Sequence, residues 1–409
     1  MGLPSLNLQV RVSGVPVGRL IRNRQGAVVF RPDPDWLHNS QRPRLSLAFL
    51  SRQEFRQDVS GIPAWFEHLL PASQGALRAR IASEQGGRSI GSSMLLRLLG
   101  RDLPGAVEVS GAVEEEQPGP EQPAPHLTFS LAGMQLKFSM EQKGERFSLP
   151  AKDQSGRWIV KLPGSTLPEL PEVELATMAW AAASGFETPE CRVVSTDVLV
   201  GIAESLSETV PSAFAIKRFD RPSDGSRIHQ EDLAQVLDFG VDHLYGRFGS
   251  KQTSYDLLVR LVSDACGSIA RDDFIQRVAF VVASGNGDAH LKNWSLQWRT
   301  PQRPTLSPCY DQVCTIAWNQ YGWQSSVPKL ALAFGRARTL HDLDSIRVGL
   351  FAQRSQSPGA EDRFYEALHR ARDSFIEIVK LCPLRMLQAL EMHWARVPVL
   401  RAIGGLKKV

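Results

Sequence analysis

Alternation of apolar and polar residues marks the beginning of the chain. Residues 6–31 alternate with a period of two, and turn residues interrupt them at Ser13-Gly14 and Gln25-Gly26. This pattern is typical of a small antiparallel meander. Apolar residues then recur at helical spacing, which predicts helices at residues 65–70, 75–82 and 92–99. The first part of the chain is therefore predicted to be a small sheet followed by helices.

The rest of the chain changes character at an acidic, proline-rich stretch. Residues 112–126 contain almost nothing to bury, which indicates a solvated linker. Beyond residue 219, long amphipathic segments dominate. One apolar helix face over residues 361–380 is formed by Phe364, Leu368, Ala371, Phe375, Ile378 and Val379. The predicted domains are an amino-terminal subdomain (1–111), the linker (112–126), a middle part (127–221) and a helical lobe (222–409).

Composition sets bounds on this picture. A chain of 409 residues with 43% hydrophobic content is long enough for two or three packed units. Apolar runs fall short of the roughly 20 residues that span a bilayer, and the first residues lack a signal pattern, so we expect a cytoplasmic protein without a membrane partner. The five cysteines contain no Cys-x-x-Cys pair, which suggests neither a zinc site nor a disulfide framework. A net charge of +4 permits nucleic-acid contact without requiring it.

A carboxylate and a carboxamide stand five residues apart in the stretch from Gly285 to Ser295. Asp288 and Asn293 follow an apolar, helix-like run at residues 274–283. In protein kinases, an Asp accepts the proton of the attacking hydroxyl and an Asn at this spacing holds a metal ion that bridges the nucleotide phosphates. The pattern predicts a catalytic loop in which Asp288 is the base and Asn293 a metal ligand.

A second metal ligand is predicted at Asp311. A probable strand at residues 294–298 and a turn precede it, and a returning segment would bring Asp311 beside Asn293. Mg²⁺ takes one or two such oxygen ligands from protein and keeps water and phosphate oxygens for the rest. The alternative is that Asp311 only caps a turn after Pro308.

A lysine ends the β-prone run at residues 157–163. Lys161 is placed like the kinase strand lysine that pairs with the α- and β-phosphates, although it could simply be solvated. Glu174 opens a segment, residues 174–183, whose Ala, Leu and Met content favours helix. It could orient Lys161 by an ion pair, or it could only complement the helix dipole from the first turn.

A small-residue turn lies upstream of this lysine. The β-prone runs 127–130 and 136–140 flank Ala132-Gly133, where backbone N–H groups can approach phosphate oxygens closely. This arrangement predicts a hairpin that cradles phosphates.

In this order, the motifs resemble those of HipA-type serine/threonine kinases, the toxins of bacterial HipA/HipB toxin–antitoxin systems. The resemblance is carried by residues 130–137, 159–163, 217–221, 229–232, 285–293 and 310–311. In front of them, residues 65–71 and 100–107 are similar to the amino-terminal subdomain of the family.

The resemblance implies an α+β, two-lobed protein-kinase-like fold, with a mixed amino-terminal lobe that carries an extra subdomain and a mainly helical carboxy-terminal lobe. It implies ATP and Mg²⁺ as cofactors, Asp288 as the base, and Asn293 and Asp311 as metal ligands. ATP would be bound by Ala132, Gly133, Met134, Gln135, Leu136, Lys137, Lys161, Lys217, Arg218, Phe219, His290, Leu291, Lys292 and Tyr310. Residues 217–219 would form the hinge that meets adenine, and Ser130 would be the autophosphorylated serine, unless it is only a hydrogen-bonding surface residue.

The same resemblance implies partners. A HipB-like antitoxin with a helix-turn-helix would read operator DNA, and this chain would contact DNA only in support. The protein substrate would be translation-related, such as an aminoacyl-tRNA synthetase. The chain differs from some relatives at Leu136, Ala289 and Leu291, and it has His290 where ordinary kinases have a lysine. Two alternatives stay open: a catalytically weak corepressor module that binds antitoxin and DNA, and a small-molecule kinase.

Overall fold

The computed structural model describes residues 6–52, 54–55, 61–71, 90–113, 136–151, 154–163, 167, 169–202, 210–248, 251–321 and 327–406. The predicted helix at 75–82, the strand at 127–130, most of the linker, Ser130 and the turn residues Ala132 to Gln135 lie outside these ranges. The chain divides into two compact units. The first comprises residues 1–165, 194–242 and 297–302, and the second comprises residues 166–193, 243–296 and 303–409.

The first unit begins with a four-stranded antiparallel sheet. Its strands are β1 (Leu6–Val12), β2 (Val15–Arg22), β3 (Val28–Pro32) and β4 (Val107–Val113), in the order β3-β2-β1-β4. The predicted meander is therefore confirmed. At its first turn, Ser13 and Gly14 both have positive φ angles, 50° and 76°, between the paired residues Val12 and Val15. Such a turn suits the right-handed twist of the two strands that it joins.

Short helices accompany this sheet in the described residues. They are α1 (Pro34–His38), α2 (Leu47–Arg52), α3 (Ala64–Glu67) and α4 (Ser92–Leu99). The predicted helix at 92–99 is confirmed at both ends, whereas the one predicted at 65–70 is shorter. Sheet and helices share a hydrophobic core that includes Leu8, Val10, Leu20, Trp65, Phe66, Leu95, Leu96 and Val109.

A six-stranded sheet forms the other part of the first unit. It contains β5 (Leu136–Lys143), β6 (Arg146–Ser148), β7 (Trp158–Leu162), β8 (Cys191–Ser195), β9 (Leu199–Val200) and β10 (Ser212–Lys217), in the order β8-β10-β7-β5-β6-β9. The strand predicted at 157–163 is thus β7. Between β7 and β8 the chain runs through helix α5 (Leu170–Ala183), which belongs to the second unit. After β10 come β11 (His229–Asp232) and the short helix α6 (Leu233–Val236).

The second unit is mainly helical. Besides α5 it contains α7 (Tyr255–Cys266), α8 (Ser268–Ser284), α9 (Ser345–Ser355), α10 (Ala360–Ile378), α11 (Leu384–Arg396) and α12 (Pro398–Ala402). Its short strands are β12 (Arg247–Phe248), β13 (Lys251–Gln252), β14 (Ser295–Trp298), β15 (Thr305–Leu306), β16 (Lys329–Phe334) and β17 (Ala337–Thr339), and the last two residues of β14 fall in the first unit. The predicted strand at 294–298 corresponds to β14.

Aromatic contacts hold three of these helices together. The Trp180 ring of α5 makes edge-to-face contacts with Phe280 of α8 and Phe375 of α10, at centroid distances of 5.3 and 4.9 Å. The predicted apolar face of α10 is confirmed because Phe364, Leu368, Ala371, Phe375 and Ile378 are buried. Val379 lies beyond the end of α10 and is only partly buried.

The start of α5 differs from the sequence-based prediction. The helix begins at Leu170 rather than near Glu174, with Pro171 in its first turn and Glu169 in the left-handed conformation before it. The acid of the first turn is Glu172. The alternative in which Glu174 complements the dipole from the first turn is therefore wrong, because proline pre-organises the helix one turn earlier. In the part of the chain that the structure describes, no helix is both long and apolar enough to cross a membrane.

Candidate active site

The predicted catalytic loop begins where helix α8 ends. Gly285 caps the end of the helix in the left-handed conformation, with φ 65°. Its N–H donates to the carbonyls of Val281 and Val282. A Cβ at this position would lie 2.4 Å from Cδ1 of Ile316. The loop therefore starts from a position that needs glycine for both its backbone conformation and its packing.

Hydrogen bonds join the loop to the segment at residues 310–315. Asn286 Oδ1 accepts from the N–H of Asp288 at 3.0 Å, and its Nδ2 donates to Gln312 Oε1 at 3.2 Å. Thr315 Oγ1 accepts from the N–H of Gly287 at 2.7 Å and donates to the carbonyl of Gly285 at 3.1 Å. Because these side chains are buried, the bonds hold the two segments in one arrangement.

Asp288 and Asn293, predicted as base and metal ligand, lie together in this loop. The backbone carbonyl of Asp288 accepts from Asn293 Nδ2 at 3.0 Å and from the N–H of His290 at 2.7 Å. The carboxylate of Asp288 accepts from the hydroxyl of Tyr245 at 2.7 Å. Since the amide nitrogen of Asn293 is used, its oxygen Oδ1 is the atom left to meet a ligand.

Asp311 lies between two residues that contact the loop. The hydroxyl of Tyr310 donates to the carbonyl of Lys292 at 2.8 Å and lies 2.6 Å from Ser295 Oγ, while Gln312 bonds to Asn286. Asp311 itself has a φ of 56°, a left-handed conformation that is uncommon outside glycine. Such conformations persist where the surrounding structure determines them, often at functional sites.

Oxygen donors from an Asn and an Asp are the ligand type that Mg²⁺ prefers. Asn293 offers its amide oxygen and Asp311 a carboxylate, and a site of this kind needs few protein ligands because water and phosphate supply the others. Among the described residues, no three His, Cys, Asp or Glu side chains cluster so that they could hold a metal ion. The oxygen donors that Asn293 and Asp311 carry are of the type that fits Mg²⁺.

The three residues between Asp288 and Asn293 that resemble nucleotide-proximal positions differ in exposure. Leu291 is fully buried, and its N–H donates to the carbonyl of Leu244 at 3.1 Å. His290 and Lys292 are partly buried. The ring of His290 meets the edge of Tyr245 at a centroid distance of 5.4 Å.

Helix α5 is bonded to the segment that follows Asp311. Thr177 Oγ1 accepts from the N–H of Cys314 at 3.1 Å and donates to the carbonyl of Val173 at 2.7 Å. Glu174, one turn before Thr177, is 1% exposed.

The strand lysine lies in the first unit. Lys161 of β7 is 5% exposed, so the alternative in which it is a solvated strand end is wrong. Its strand partners are Lys137 on β5 and Phe214 on β10, and its Nζ lies 5.3 Å from the Phe214 ring centroid. Directly opposed residues share one face of a sheet, so the two lysines lie on the same face.

The predicted hinge follows the end of β10. Lys217 is exposed, whereas Arg218 is 4% exposed and committed to ion pairs with Asp102 at 2.7 Å and with Asp220 at 2.9 Å. Arg221 bonds to the same two carboxylates, at 3.2 and 2.8 Å. The guanidinium of Arg218 therefore forms ion pairs inside the first unit. We call these four residues the Arg–Asp cluster (Asp102, Arg218, Asp220 and Arg221).

The charges of the Arg–Asp cluster balance one another. Burial alone would raise the pKa of Asp220, but the adjacent Arg218 and Arg221 outweigh it and hold that pKa below its ordinary value. The pKa of Asp102 is lowered by the same balance. Both carboxylates are therefore ionised at neutral pH, and two cations face two anions in a buried site.

The motif at residues 229–232 also bonds to the amino-terminal subdomain. His229 Nε2 lies 2.9 Å from the carbonyl of Leu45, and Glu231 accepts from Trp65 Nε1 at 3.0 Å and from the N–H of Leu47 at 2.9 Å. Burial raises the pKa of Glu231 to about 7, against the effect of these donors. The motif joins parts of the first unit that are far apart in sequence.

Sequence reasoning did not find the residues that hold the loop. Tyr245, Gln312 and Thr315 are 43, 26 and 28 residues away from their loop partners, so no local pattern connects them. Asn286 is the one of these loop-holding residues named here that a local sequence pattern could have revealed. An Asn two residues before the base is a common way to cap a turn, and this signal was present in the sequence.

Comparison with known proteins identifies both parts of the chain. Residues 8–110 match the HipA N-terminal domain, and residues 129–376 match the HipA-like C-terminal domain. A protein of Sinorhizobium fredii, provisionally named kinase Y4dM, is 34% identical over 85% of this chain and 86% of its own length. The serine/threonine-protein kinase toxin HipA of Shewanella oneidensis is 27% identical over 48% of this chain and 45% of its own length.

A solved structure has the same fold. It is the complex of HipA, HipB and operator DNA from the Shewanella oneidensis toxin–antitoxin system, and its matching chain has a TM-score of 0.72 over 98% of both chains at 20% identity. The likeness at this identity concerns the fold, and it confirms the predicted α+β, HipA-like kinase architecture.

Proposed function

This chain belongs to the HipA family, and on that premise we propose that it is a serine/threonine protein kinase that transfers the γ-phosphoryl group of ATP to a hydroxyl of another protein. One observation carries the proposal: Asp288 and Asn293 are bonded to each other in a loop that buried side chains fix to the segment around Asp311. This arrangement supports a base beside two metal-ligand positions.

The opposed lysines of the first sheet support binding of an anionic nucleotide. Lys137 and Lys161 face the same side at paired strand positions, where both would donate to phosphate oxygens. Lys161 is also the residue assigned to the α- and β-phosphates. By the family pattern, Glu174 would orient Lys161 by an ion pair.

The remaining roles follow the family pattern. Asp288 would take the proton of the acceptor hydroxyl, and Asn293 and Asp311 would hold Mg²⁺, which when bound neutralises charge on the phosphates. The hinge at residues 217–219 would meet adenine. Additional ATP contacts would come from the turn at residues 132–136 and from His290, Leu291, Lys292 and Tyr310.

Replacement of two carboxylates tests the proposal. Asp288→Asn and Asp311→Ala should each abolish transfer from radiolabelled ATP while the circular-dichroism spectrum and melting temperature stay near those of the wild type. Asp264→Asn, an exposed carboxylate on α7, is the matched control and should keep full activity. Near-native transfer by either active-site variant would show that its assigned role is wrong.

An ATP-dependent mass shift separates a kinase from a binding module. The proposed autophosphorylation at Ser130 should add one phosphoryl group to the purified protein, and Ser130→Ala should remove that addition. A protein that neither binds ATP nor gains mass would favour a corepressor module. Phosphate found only on a metabolite would favour a small-molecule kinase.

We further propose that this kinase is the toxin of a type II toxin–antitoxin system. Its partner would be a HipB-like antitoxin that reads operator DNA, as in the HipA, HipB and operator DNA complex whose chain has the same fold. The substrate would be a translation-related protein such as an aminoacyl-tRNA synthetase. Phosphoproteomics of cells that express the wild type or Asp288→Asn should reveal phosphosites that appear only with the active protein.

A further inference from the structure

Tyr245 is bonded to the candidate base although it lies outside every motif described above. Its hydroxyl donates to Asp288 Oδ1 at 2.7 Å. Its ring stands edge-on to His290, with an angle of 86° between the two planes. The tyrosine therefore contacts the catalytic loop at two side chains, one of which is the proposed proton acceptor.

The backbone around Tyr245 is held to the same loop. On one side, the carbonyl of Leu244 accepts from the N–H of Leu291 at 3.1 Å. On the other side, the N–H of Gly246 donates to His243 at 3.0 Å, and the carbonyl of Gly246 accepts from Thr253 at 2.7 Å. Gly246 has a φ of 72°, and a Cβ there would lie 2.8 Å from Leu332. These contacts fix the backbone from which the hydroxyl of Tyr245 reaches Asp288.

The hydroxyl remains a donor under ordinary conditions. Burial, and then the charge of Asp288, raise the pKa of Tyr245 above its ordinary value, so the phenol keeps its proton. A carboxylate that accepts a charge-assisted bond on Oδ1 has lost much of its rotational freedom. Its second oxygen, Oδ2, remains available to accept a proton.

We propose that Tyr245 is a positioning residue that orients the Asp288 carboxylate for proton transfer from the acceptor hydroxyl. The inference rests on the proposed function. In that reaction, the proton of the acceptor moves to Asp288 Oδ2, a bond forms between the acceptor oxygen and the γ-phosphorus, and the bond from that phosphorus to ADP breaks. Tyr245 neither gains nor loses a proton. It fixes the direction in which Asp288 presents its second oxygen.

The hydroxyl of Tyr245 can be removed while the aromatic ring is kept. Tyr245 is 49% exposed, and Phe keeps the ring that meets His290, so Tyr245→Phe removes the hydroxyl without emptying a core. Tyr365→Phe, the same chemical change on helix α10, is the matched control. Transfer kinetics are measured for the wild type and both variants at varied ATP and acceptor concentrations, together with melting temperatures and phosphopeptide maps.

For Tyr245→Phe we expect a kcat about ten-fold or more below that of the wild type, within the range that positioned general bases contribute. The KM for ATP and the melting temperature should be unchanged, and Tyr365→Phe should match the wild type. A wild-type kcat in Tyr245→Phe would overturn the inference, as would phosphate on Tyr245, since the hydroxyl would then be an acceptor. A wild-type protein that transfers no phosphate would instead defeat the proposed function, and the inference with it.

Discussion

The hydroxyl of Thr315 accepts a hydrogen bond of 2.7 Å from the backbone N–H of Gly287, immediately before the candidate base. The same hydroxyl donates to the carbonyl of Gly285, so that one side chain satisfies both ends of a buried turn. Val has nearly the same shape as Thr but can make neither bond. Replacing Thr315 by Val therefore tests the two hydrogen bonds with little change in side-chain packing.

Thr315→Val should lower the free energy of unfolding by about 1–3 kcal/mol, because it leaves a buried donor and a buried acceptor without partners. It should also lower kcat, since the loop that carries Asp288 loses a restraint. Thr315→Ser keeps the hydroxyl and should retain most of both quantities. Urea unfolding and transfer kinetics of the two variants check this, and equal behaviour of Val and Ser would contradict it.

The Arg–Asp cluster should be far more important for stability than surface ion pairs are. Asp102→Asn leaves two buried guanidinium groups facing one carboxylate, and we expect a loss of about 3–5 kcal/mol, as for other broken buried pairs. The control is Arg157→Gln, which breaks a pair with Glu141 whose arginine is 47% exposed, and which should cost less than about 1 kcal/mol. Chemical denaturation measures both losses. Similar losses would mean that the cluster is not uniquely important.

Glu231 should make the folded state less stable as pH rises through weakly acidic values. Its pKa is raised from an ordinary 4.5 to about 7, so between these values the folded state holds a proton that the unfolded state releases. Its contribution is fully present below about pH 4.5 and is lost as pH approaches 7, by about 3 kcal/mol at most.

His229 and His393 act in the opposite direction in an overlapping range. Burial lowers the pKa of each to about 4 from an ordinary 6.5, so both add stability as pH rises between those values. The test is therefore the difference in free energy of unfolding between the wild type and Glu231→Gln, measured by urea unfolding from pH 5 to 8. The difference should shrink as pH rises. A difference independent of pH would refute the assignment.

Two glycines should respond to alanine with opposite signs. Gly285→Ala forces a side chain into the left-handed region and against Ile316, and it should destabilise the protein by about 1 kcal/mol or more. Gly349 lies within helix α9, where an added Cβ meets nothing within 4 Å, and Gly349→Ala should stabilise by about 0.5–1 kcal/mol. Thermal unfolding of both variants checks the pair. Destabilisation by both would show that the helix position is not open.

Local patterns were sufficient for the parts of the fold that depend on near neighbours. The meander was predictable because its turn residues at 13–14 and its two-residue alternation lie within one short stretch. Helix α4 was predictable because its apolar face and its ends are all encoded between Gly91 and Gly100. The start of α5 differs from the prediction because Pro171, and not the acid Glu174, lies in the first turn of the helix.

Contacts between distant segments could not be predicted in this way. Arg218 was expected at a hinge, but its partner Asp102 lies 116 residues away, and nothing in the local sequence announces that bond. The proposed catalytic residues could be recognised in the sequence because kinase chemistry requires particular side chains at particular spacings. The side chains that contact them, such as Tyr245, are brought close by the fold and stand at no fixed distance from them along the sequence.

The Arg–Asp cluster also limits how this protein can be dissected. Asp102 comes from the amino-terminal subdomain, whereas Arg218 and Arg221 follow strand β10 of the six-stranded sheet. Deleting everything before residue 114 would remove Asp102 and would leave Arg218 and Arg221 with Asp220 as their one shared carboxylate. We therefore expect a fragment trimmed in this way to be less stable than the whole chain, so biochemical work should keep the first hundred or so residues in place.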